Sequence, residues 1–460
     1  MSQSSTVAWL ADRLRTEVAR LAVGERLPSS RDLVRKLGVS PVSVARAVAL
    51  LAAEGLVQTR PGTGTFVAPR RAAPARGDTS WQTVTLPSRP LDPLTVTDLL
   101  SAPPDGAITM AGGYLHPSLQ PTRALAAALA RAARRPDAWD RAPSQGLAPL
   151  RTLFARMAGG DLGPEDVLVT GGGQGALAMA FRALAVPGSP VLVESPTYQG
   201  ALAAARAAGL RPVPVPLDAN GIRPDLLADA FGTGARLLYL QPGCHNPTGA
   251  ALAADRRRQV LELARAANAF VIEDDFARHL GHAAPPPPPL VADDPDGTVV
   301  YLTSLTKPAA PSLRVGALIA RGPVLERLRA TRLVDDFFLP RPLQEAALEL
   351  LSTPAWDRHL RALATVLTDR RATLAAALAR ETPQWTVSQP STGLHLWLAL
   401  DRAEEDVVRE ARDQGVTVVS GRGHFAAEPP GPHLRLSFAA AADLAELAEA
   451  ARRLGRAVRD

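Results

Sequence analysis

The chain has 460 residues, of which 46% are hydrophobic, and a formal net charge of +6. This length predicts two or three domains with enough apolar material for large cores. The single cysteine, Cys244, excludes an intrachain disulfide framework and fits a reducing cytoplasm. The sequence predicts neither a signal peptide nor a membrane-spanning run, and we predict no metal site.

The positive charge is concentrated at the N-terminus. Residues 1–71 contain eleven lysines and arginines against five aspartates and glutamates, so this short stretch accounts for the whole net charge of +6. Such a distribution is typical of a nucleic-acid-binding module attached to a neutral body. A small helical domain that is basic only for solubility is the alternative explanation.

Residues 1–69 are predicted to form three helices and a hairpin. Apolar residues recur at helical spacing over residues 6–20. Ser29 is placed to cap a second helix, and Ser40 to cap a third that opens with Pro41, where the missing N–H is tolerated. Two short strands then flank a glycine-rich turn. Three helices followed by a hairpin indicate a winged helix-turn-helix (an α+β domain), whose third helix enters the major groove of DNA.

The N-terminal module contains residues 24–31 (GERLPSSR), 37–40 (LGVS), 54–56 (EGL) and 62–67 (GTGTFV). These four segments resemble those of the GntR-type DNA-binding domains. The resemblance implies DNA contacts from six residues: Arg31, Ser40, Ser43, Arg46, Gly62 and Gly64. At Pro41 the family commonly has an arginine, so the family's base preference cannot be transferred to this chain. A helix-turn-helix that serves only protein contacts is the alternative.

A proline-rich linker is predicted at residues 70–98, before a second region at residues 99–460. In that region short apolar runs alternate with alanine-rich helices. The predicted strands lie at residues 167–169, 191–193, 237–240, 270–272 and 298–302. This alternation predicts an α/β fold with a mainly parallel sheet, in which ligands bind at the carboxyl ends of the strands.

Lysine is almost absent from the chain, since Lys36 and Lys307 are its two lysines among 51 basic residues. Arginine stays protonated and cannot form a Schiff base, whereas a lysine amine can be deprotonated and act as a nucleophile. A lysine retained where arginine has replaced nearly all others is therefore a candidate for imine chemistry. An ordinary surface lysine retained by chance is the alternative.

Further motifs follow the predicted strands. A glycine-rich turn at residues 170–177 (TGGGQGAL) opens a helix and offers backbone N–H groups to a phosphate. Residues 273–275 (EDD) supply a carboxylate, residues 242–249 (PGCHNPTG) a side-chain amide, and residues 304–316 a lysine and an arginine. Together they meet the requirements of pyridoxal phosphate: an amine, an acid for the ring nitrogen, an amide for the ring oxygen and an anion site. Each motif alone is more often structural, so the prediction rests on their combination.

The order of these motifs resembles the fold-type I aminotransferases over residues 99–460. The resemblance implies a large sheet followed by a smaller C-terminal α+β subdomain. It also implies that Lys307 carries the cofactor and Asp274 pairs with its ring nitrogen, which makes these two the catalytic residues. Asn246 would bind the ring oxygen, Tyr198 would stack on the ring, and Arg435 would bind a ligand carboxylate. Phosphate contacts are implied for Gly173, Gln174, Ser304 and Arg314.

Three departures from the family pattern concern hydrogen-bond donors. Phe276 replaces a tyrosine that donates to the ring oxygen, and Gly171 and Gly173 replace serines of the phosphate turn. Arg141 stands where a tyrosine usually reaches the phosphate of the second subunit, and it is an alternative anion ligand. We expect a cofactor site that is retained but catalytically relaxed. His245 and His279 lie nearby in the sequence, but nothing assigns them a proton-transfer role.

A GntR-like module joined to an aminotransferase-like region resembles the MocR group of bacterial regulators. The resemblance implies a cytoplasmic, homodimeric transcription factor that binds a double-stranded DNA operator and uses pyridoxal phosphate to sense an amino acid or amine. Two alternatives stay open. The chain is an aminotransferase with an accessory DNA-binding domain, or it is a regulator that responds to occupancy by the cofactor itself.

Overall fold

The computed structural model describes residues 3–69, 77–86 and 104–458. The chain divides into two compact units, Met1–Ser88 and Arg89–Asp460, called here the N-terminal unit and the body. Most of the predicted linker, at residues 70–98, lies outside the described residues. The described part of it contains a short helix, Trp81–Thr85, which the sequence did not predict.

The N-terminal unit is the predicted winged helix-turn-helix. Its helices are α1 (Gln3–Val18), α2 (Ser30–Leu37) and α3 (Pro41–Ala53), and its hairpin pairs β1 (Val57–Arg60) with β2 (Gly64–Val67). Ser29 and Ser40 cap α2 and α3, as predicted, by accepting from backbone N–H groups three residues ahead. The core of this unit is formed by apolar residues from all three helices and both strands: Leu10, Leu14, Leu33, Val44, Leu51, Val57 and Val67.

Trp81–Thr85, which falls within the N-terminal unit, is numbered α4, and the body contains the remaining elements. Its helices are α5 (Thr122–Ala132), α6 (Ala148–Ala158), α7 (Gly173–Leu184), α8 (Gln199–Ala207), α9 (Pro224–Gly232), α10 (Ala254–Ala266), α11 (Pro323–Asp335), α12 (Arg341–Leu351), α13 (Pro354–Glu381), α14 (Glu404–Asp413) and α15 (Leu444–Ala457). Its strands are β3 (Ile108–Thr109), β4 (Val167–Thr170), β5 (Pro190–Ser195), β6 (Arg211–Asp218), β7 (Gly221–Ile222), β8 (Leu237–Leu240), β9 (Phe270–Asp274), β10 (Val299–Ser304), β11 (Gly316–Ile319), β12 (Thr386–Val387), β13 (His395–Ala399), β14 (Val416–Thr417), β15 (Val419–Ser420) and β16 (His433–Ser437).

An eight-stranded sheet forms the centre of the body, in the order β4-β11-β10-β9-β8-β5-β6-β7. The run from β10 through β9, β8 and β5 to β6 is parallel, which confirms the predicted mainly parallel sheet. Apolar clusters cover both of its faces, as parallel sheets require. The carboxyl ends of β8, β9 and β10 therefore open at one edge, next to one another.

A smaller α+β subdomain follows, as predicted. Its antiparallel sheet has the order β12-β13-β16-β15, and its leucine-rich face packs with α13, α14 and α15 in one apolar cluster. The first described strand of the body, β3, pairs with β14, so the start of the body is attached to this subdomain. Within the described residues, no single helix is long and apolar enough to cross a membrane; one bent pair, α2 with α3, meets that test only when taken together.

Candidate functional site

Lys307 lies just beyond the end of β10, where its amine is enclosed by the body. Its Nζ donates to the Gly113 carbonyl at 2.6 Å and lies 3.8 Å from the centroid of the Tyr114 ring. Burial, helped by the nearby Arg435 and Arg314 and opposed by Asp274, lowers the pKa of Lys307 to about 7. Much of the amine is therefore uncharged near neutral pH, which is the form that attacks a carbonyl carbon.

Asp274 ends the neighbouring strand, β9, and is buried. Tyr239 Oη donates to its Oδ2 at 2.6 Å and Gln241 Nε2 donates to the same oxygen at 3.0 Å. Burial raises the pKa of Asp274 to about 6, and the two hydrogen bonds oppose that rise. A buried carboxylate fixed in this way suits a protonated ring nitrogen. Sequence reasoning missed Tyr239 and Gln241, although a tyrosine within the apolar run of β8 was an available signal.

Asn246 and Arg435 meet on the side of the site that faces the small sheet. Arg435 donates from Nη1 to Asn246 Oδ1 at 3.3 Å and from Nη2 to the Ala111 carbonyl at 3.0 Å. Because the Asn246 oxygen faces Arg435, its NH₂ group is left to donate, as its predicted role requires. Burial lowers the pKa of Arg435 to about 10, and its Nε has no hydrogen-bond partner among the described residues.

The glycine-rich turn before α7 brings backbone N–H groups up to Arg314. Gly172 has a φ of 88°, and a Cβ there would lie 2.9 Å from the Arg314 guanidinium carbon, so glycine is needed for this approach. Arg314 donates to the Gly171 carbonyl at 2.7 Å. The Cβ that glycine lacks at Gly173 would lie 3.9 Å from the Ser304 side chain. Three predicted phosphate ligands thus share one cradle of the kind that binds anions.

Gln174, Tyr198 and Arg141 complete the predicted set, with different outcomes. Tyr198 Oη donates to Gln174 Oε1 at 3.1 Å. This bond places Tyr198 next to the glycine-rich turn, and burial with the nearby Asp274 raises the pKa of its hydroxyl. Arg141 is exposed, and no contact joins it to the other predicted residues. Phe276 packs with the apolar cluster of the small subdomain.

Two buried groups behind Asp274 are uncharged near neutral pH. Burial raises the pKa of Glu194 to about 8 and lowers that of His245 to about 3. Their 3.6 Å contact is therefore not an ion pair, although the two groups carry opposite charges when ionised. Glu194 accepts a hydrogen bond from the Gln241 backbone N–H at 2.8 Å. His279, the other histidine considered from the sequence, packs edge-on against Trp356.

The predicted DNA-binding residues divide into exposed and capping groups. Arg31 and Arg46 are exposed and have no ion pair among the described residues. The hydroxyls of Ser40 and Ser43 form a hydrogen bond of 2.9 Å in the cap of α3. Ser43 is only 7% exposed, so its position favours the cap over the direct DNA contact that the resemblance implied.

The wing carries the other two predicted DNA-binding residues. Gly62 and Gly64 have φ values of 71° and 127°. A Cβ at Gly64 would lie 2.6 Å from the Arg26 Nε, so the Arg26 side chain lies against the wing. The tight turn and this close approach explain why glycine occupies the wing.

Comparisons with known proteins agree with this geometry. The family of class I and II aminotransferases matches residues 110–454, and the gntR family of bacterial regulatory proteins matches residues 6–67. The 2-aminoadipate transaminase of Thermus thermophilus is 33% identical over 77% of this chain and 90% of its own length. The probable rhizopine catabolism regulatory protein MocR of Rhizobium meliloti is 27% identical over 94% of this chain and 89% of its own.

A solved structure gives the same answer for the body. The α-aminoadipate aminotransferase LysN of Thermus thermophilus, complexed with N-(5'-phosphopyridoxyl)-L-leucine, has a TM-score of 0.74 at 30% identity and covers 83% of this chain and 98% of its own. The predicted fold and the predicted type of cofactor site are thus confirmed. The chain therefore belongs to the family of class I and II aminotransferases, and it carries an N-terminal winged helix of the gntR family of bacterial regulatory proteins.

Proposed function

We propose that this chain is a cytoplasmic, homodimeric transcription factor whose body binds pyridoxal phosphate and senses an amino acid or amine. The observation that carries the proposal is that one chain contains both features. Its winged helix has exposed arginines without ion pairs among the described residues, and its body has the lysine, aspartate, asparagine and arginine of a cofactor site. A relative named as a regulatory protein matches over both parts, which supports the proposal.

When bound, the cofactor would supply an aldehyde that bonds covalently to a primary amine. The residues of the site match different parts of the cofactor. Lys307 offers a largely neutral amine, and Asp274 offers a negative charge to a protonated ring nitrogen. The Asn246 NH₂ group would donate to the ring oxygen, and Tyr198 would stack on the ring. Arg314, Ser304, Gly173 and Gln174 would hold the phosphate, and Arg141 of a second subunit would be a further anion ligand.

Sensing requires a ligand that distinguishes two states of the body. Arg435 is buried and has an unused Nε, so it would bind a carboxylate through two parallel hydrogen bonds. The Lys307 amine and the Arg435 guanidinium both face this site, so a ligand with an amine and a carboxylate would meet both groups. If the body has two arrangements that present the winged helices differently, a ligand that prefers one of them changes DNA affinity by linkage.

A second function, amino-group transfer to a 2-oxo acid, is favoured by one specific observation. Lys307 is enclosed beside Asp274, and burial lowers the pKa of its amine to about 7, so the group is suited to move a proton near neutral pH. The 33% identity to a transaminase points the same way. Phe276 and the glycines of the phosphate turn weigh against an efficient enzyme, because each removes a hydroxyl donor from the site.

The test uses the full-length protein and a DNA site selected from a random library. Binding to that site is measured without cofactor, with pyridoxal phosphate, and with each common L-amino acid added, for the natural protein and for Lys307→Ala. We expect cofactor or ligand to change the dissociation constant in the natural protein alone. Operator binding that is indifferent to all three changes would refute the sensor, and steady turnover with a 2-oxo acid would favour the enzyme. A response to cofactor alone would identify a cofactor sensor.

A further inference from the structure

One face of the small sheet is buried yet polar. In the ladder between β13 and β16, Trp397 lies opposite Arg435 and His395 lies opposite Ser437. Opposite residues of an antiparallel pair point to the same side, so these four side chains share a face. The alternate leucines of both strands point into the apolar cluster of the subdomain. His395 is thereby the diagonal neighbour of Arg435, with Cβ atoms about 7 Å apart.

His395 has an unused nitrogen on this face. Its side chain is 7% exposed, and its Nε2 is buried without a hydrogen-bond partner among the described residues. The Nε of Arg435 is in the same condition. Buried polar atoms in native proteins are nearly always paired, so two unpaired nitrogens on one face indicate the place of a ligand.

A short backbone segment, residues 111–113, lies against the same groups. Arg435 donates to the carbonyl of Ala111 at 3.0 Å and Lys307 to that of Gly113 at 2.6 Å. The carbonyl of Gly112, between them, faces the imidazole of His395. Neutral carbonyl oxygens thus supply most of the hydrogen-bond acceptors of this corner, and no carboxylate of the described residues pairs with Arg435.

The charges around His395 are unbalanced. Burial, Arg435, Lys307 and His424 all lower the pKa of His395, and the Gly112 carbonyl alone opposes them. The ring is therefore neutral at pH 7. Protonation would make both of its nitrogens hydrogen-bond donors. A carboxylate placed between His395 and Arg435 would reverse the local balance, because it cancels the field of Arg435 and attracts a proton to the ring.

We propose that His395 and Arg435 together bind the carboxylate of the ligand, and that binding brings one proton from solvent to His395. The Nε2–H formed in this way donates to one carboxylate oxygen, in addition to the two parallel hydrogen bonds from Arg435. The inference rests on the proposed carboxylate role of Arg435 and adds a second binding residue to it. Carboxylate ligands then bind more tightly as the pH falls, whereas simple amines do not.

The test is titration calorimetry of the full-length, cofactor-loaded protein with propionate, a carboxylate that has no amine. Titrations at pH 7 in Tris and in phosphate, buffers with different ionisation heats, give the number of protons taken up. We expect uptake of about 0.5 to 1 proton by the natural protein. We expect none for His395→Phe, whose propionate affinity falls about tenfold. His395→Gln, which keeps a donor but does not titrate, should retain more affinity and show no uptake.

Two controls separate the possible failures. His433→Phe alters a histidine two residues before Arg435 on the same strand and face, and it should leave both affinity and proton uptake unchanged. Arg435→Lys should weaken propionate in either case. If Arg435→Lys has no effect, or if propionate does not bind, the proposed carboxylate site fails and this inference fails with it. If His395→Phe and His395→Gln both bind propionate like the natural protein with the same proton uptake, the role of His395 alone is overturned.

Discussion

Arg31 and Arg46 of the N-terminal unit are exposed and form no ion pair within the described part of the chain, whereas Arg435 of the body is 5% exposed and donates to two oxygens. The exposed pair suits a polyanion whose charges are spread over a long surface, and its contribution is screened by salt. The buried arginine suits one small anion held in a fixed geometry. The same residue type therefore serves two kinds of recognition, and burial distinguishes them.

Loss of the buried amine should have the largest effect. Lys307→Arg introduces a guanidinium that stays protonated, so no covalent bond to an aldehyde can form. We expect complete loss of the visible absorbance band of the cofactor after gel filtration of protein incubated with pyridoxal phosphate. The second lysine of the chain gives the control, since Lys36→Arg alters an exposed residue and should retain the band. A band retained by Lys307→Arg would contradict the assignment.

Replacement of the buried arginine should come next. Arg435→Lys keeps a charge but cannot form two parallel hydrogen bonds, so we expect a loss of about 2 kcal/mol, roughly 30-fold, in affinity for a carboxylate ligand. The loss should be nearly the same at 50 and 200 mM salt, because the site is buried. Arg409→Lys, on an exposed face of α14, is the control and should bind the ligand normally. A loss that disappears at high salt would place Arg435 among the surface cations instead.

Glu194 is a buried acid, and it extends the comparison of buried with exposed charged groups to the pH dependence of stability. The pKa of Glu194 is raised from 4.5 to about 8, so between these values the unfolded chain gives up a proton that the folded chain keeps. Stability then declines as pH rises, and Glu194→Gln removes this decline. Measured by urea unfolding, the free energy of unfolding of the variant relative to the natural protein should rise by on the order of 2 kcal/mol from pH 5 to pH 7.

The control for that experiment is an exposed acid. Glu262 lies on α10 and forms a surface pair with Arg258, so Glu262→Gln should leave the pH dependence of unfolding unchanged. Parallel pH profiles for the natural protein and Glu194→Gln would show that Glu194 ionises normally in the folded state.

The exposed arginines should show the opposite salt behaviour. Arg46→Ala is expected to weaken DNA binding about tenfold and to reduce the slope of log affinity against log salt by about one. Arg35→Ala removes an arginine that is equally accessible but already paired with Asp32, and it should have a smaller effect. Equal losses for the two variants would mean that general charge, rather than the position of Arg46, determines binding.

The smallest expected effect concerns Phe276. If a tyrosine here donates to the ring oxygen of the cofactor, it stabilises the negative charge on that oxygen and lowers the pH midpoint of the visible absorbance change. We expect Phe276→Tyr to lower this midpoint by less than about one unit in a spectrophotometric titration. An unchanged midpoint would show that the side chain at this position does not reach the ring.

Local features of the chain were predictable from its sequence because their causes are local. Ser29 and Ser40 cap helices by bonds that span three residues, and the apolar runs of β8, β9 and β10 are long enough to indicate buried strands. The lysine, aspartate and asparagine were placed at strand ends for the same reason. Such features depend on neighbours in the sequence, which a single chain displays directly.

Other features depend on contacts between distant residues. Prolines at alternate positions argue against a strand, yet β6 forms because Arg211 and the residues alternating with the prolines keep their N–H groups for pairing with β5. Tyr239 and Gln241 become important only through Asp274, about 35 residues away. His395 gained its significance from an unpaired nitrogen that no sequence pattern reveals.

The segment at residues 111–113 has a mechanical consequence. It follows the first described strand of the body, β3, which pairs with β14 of the small subdomain. Its carbonyls accept hydrogen bonds from Lys307 and Arg435 and so link this strand to the site. A molecule that draws either side chain away would therefore break a hydrogen bond that holds the first described segment of the body to the site.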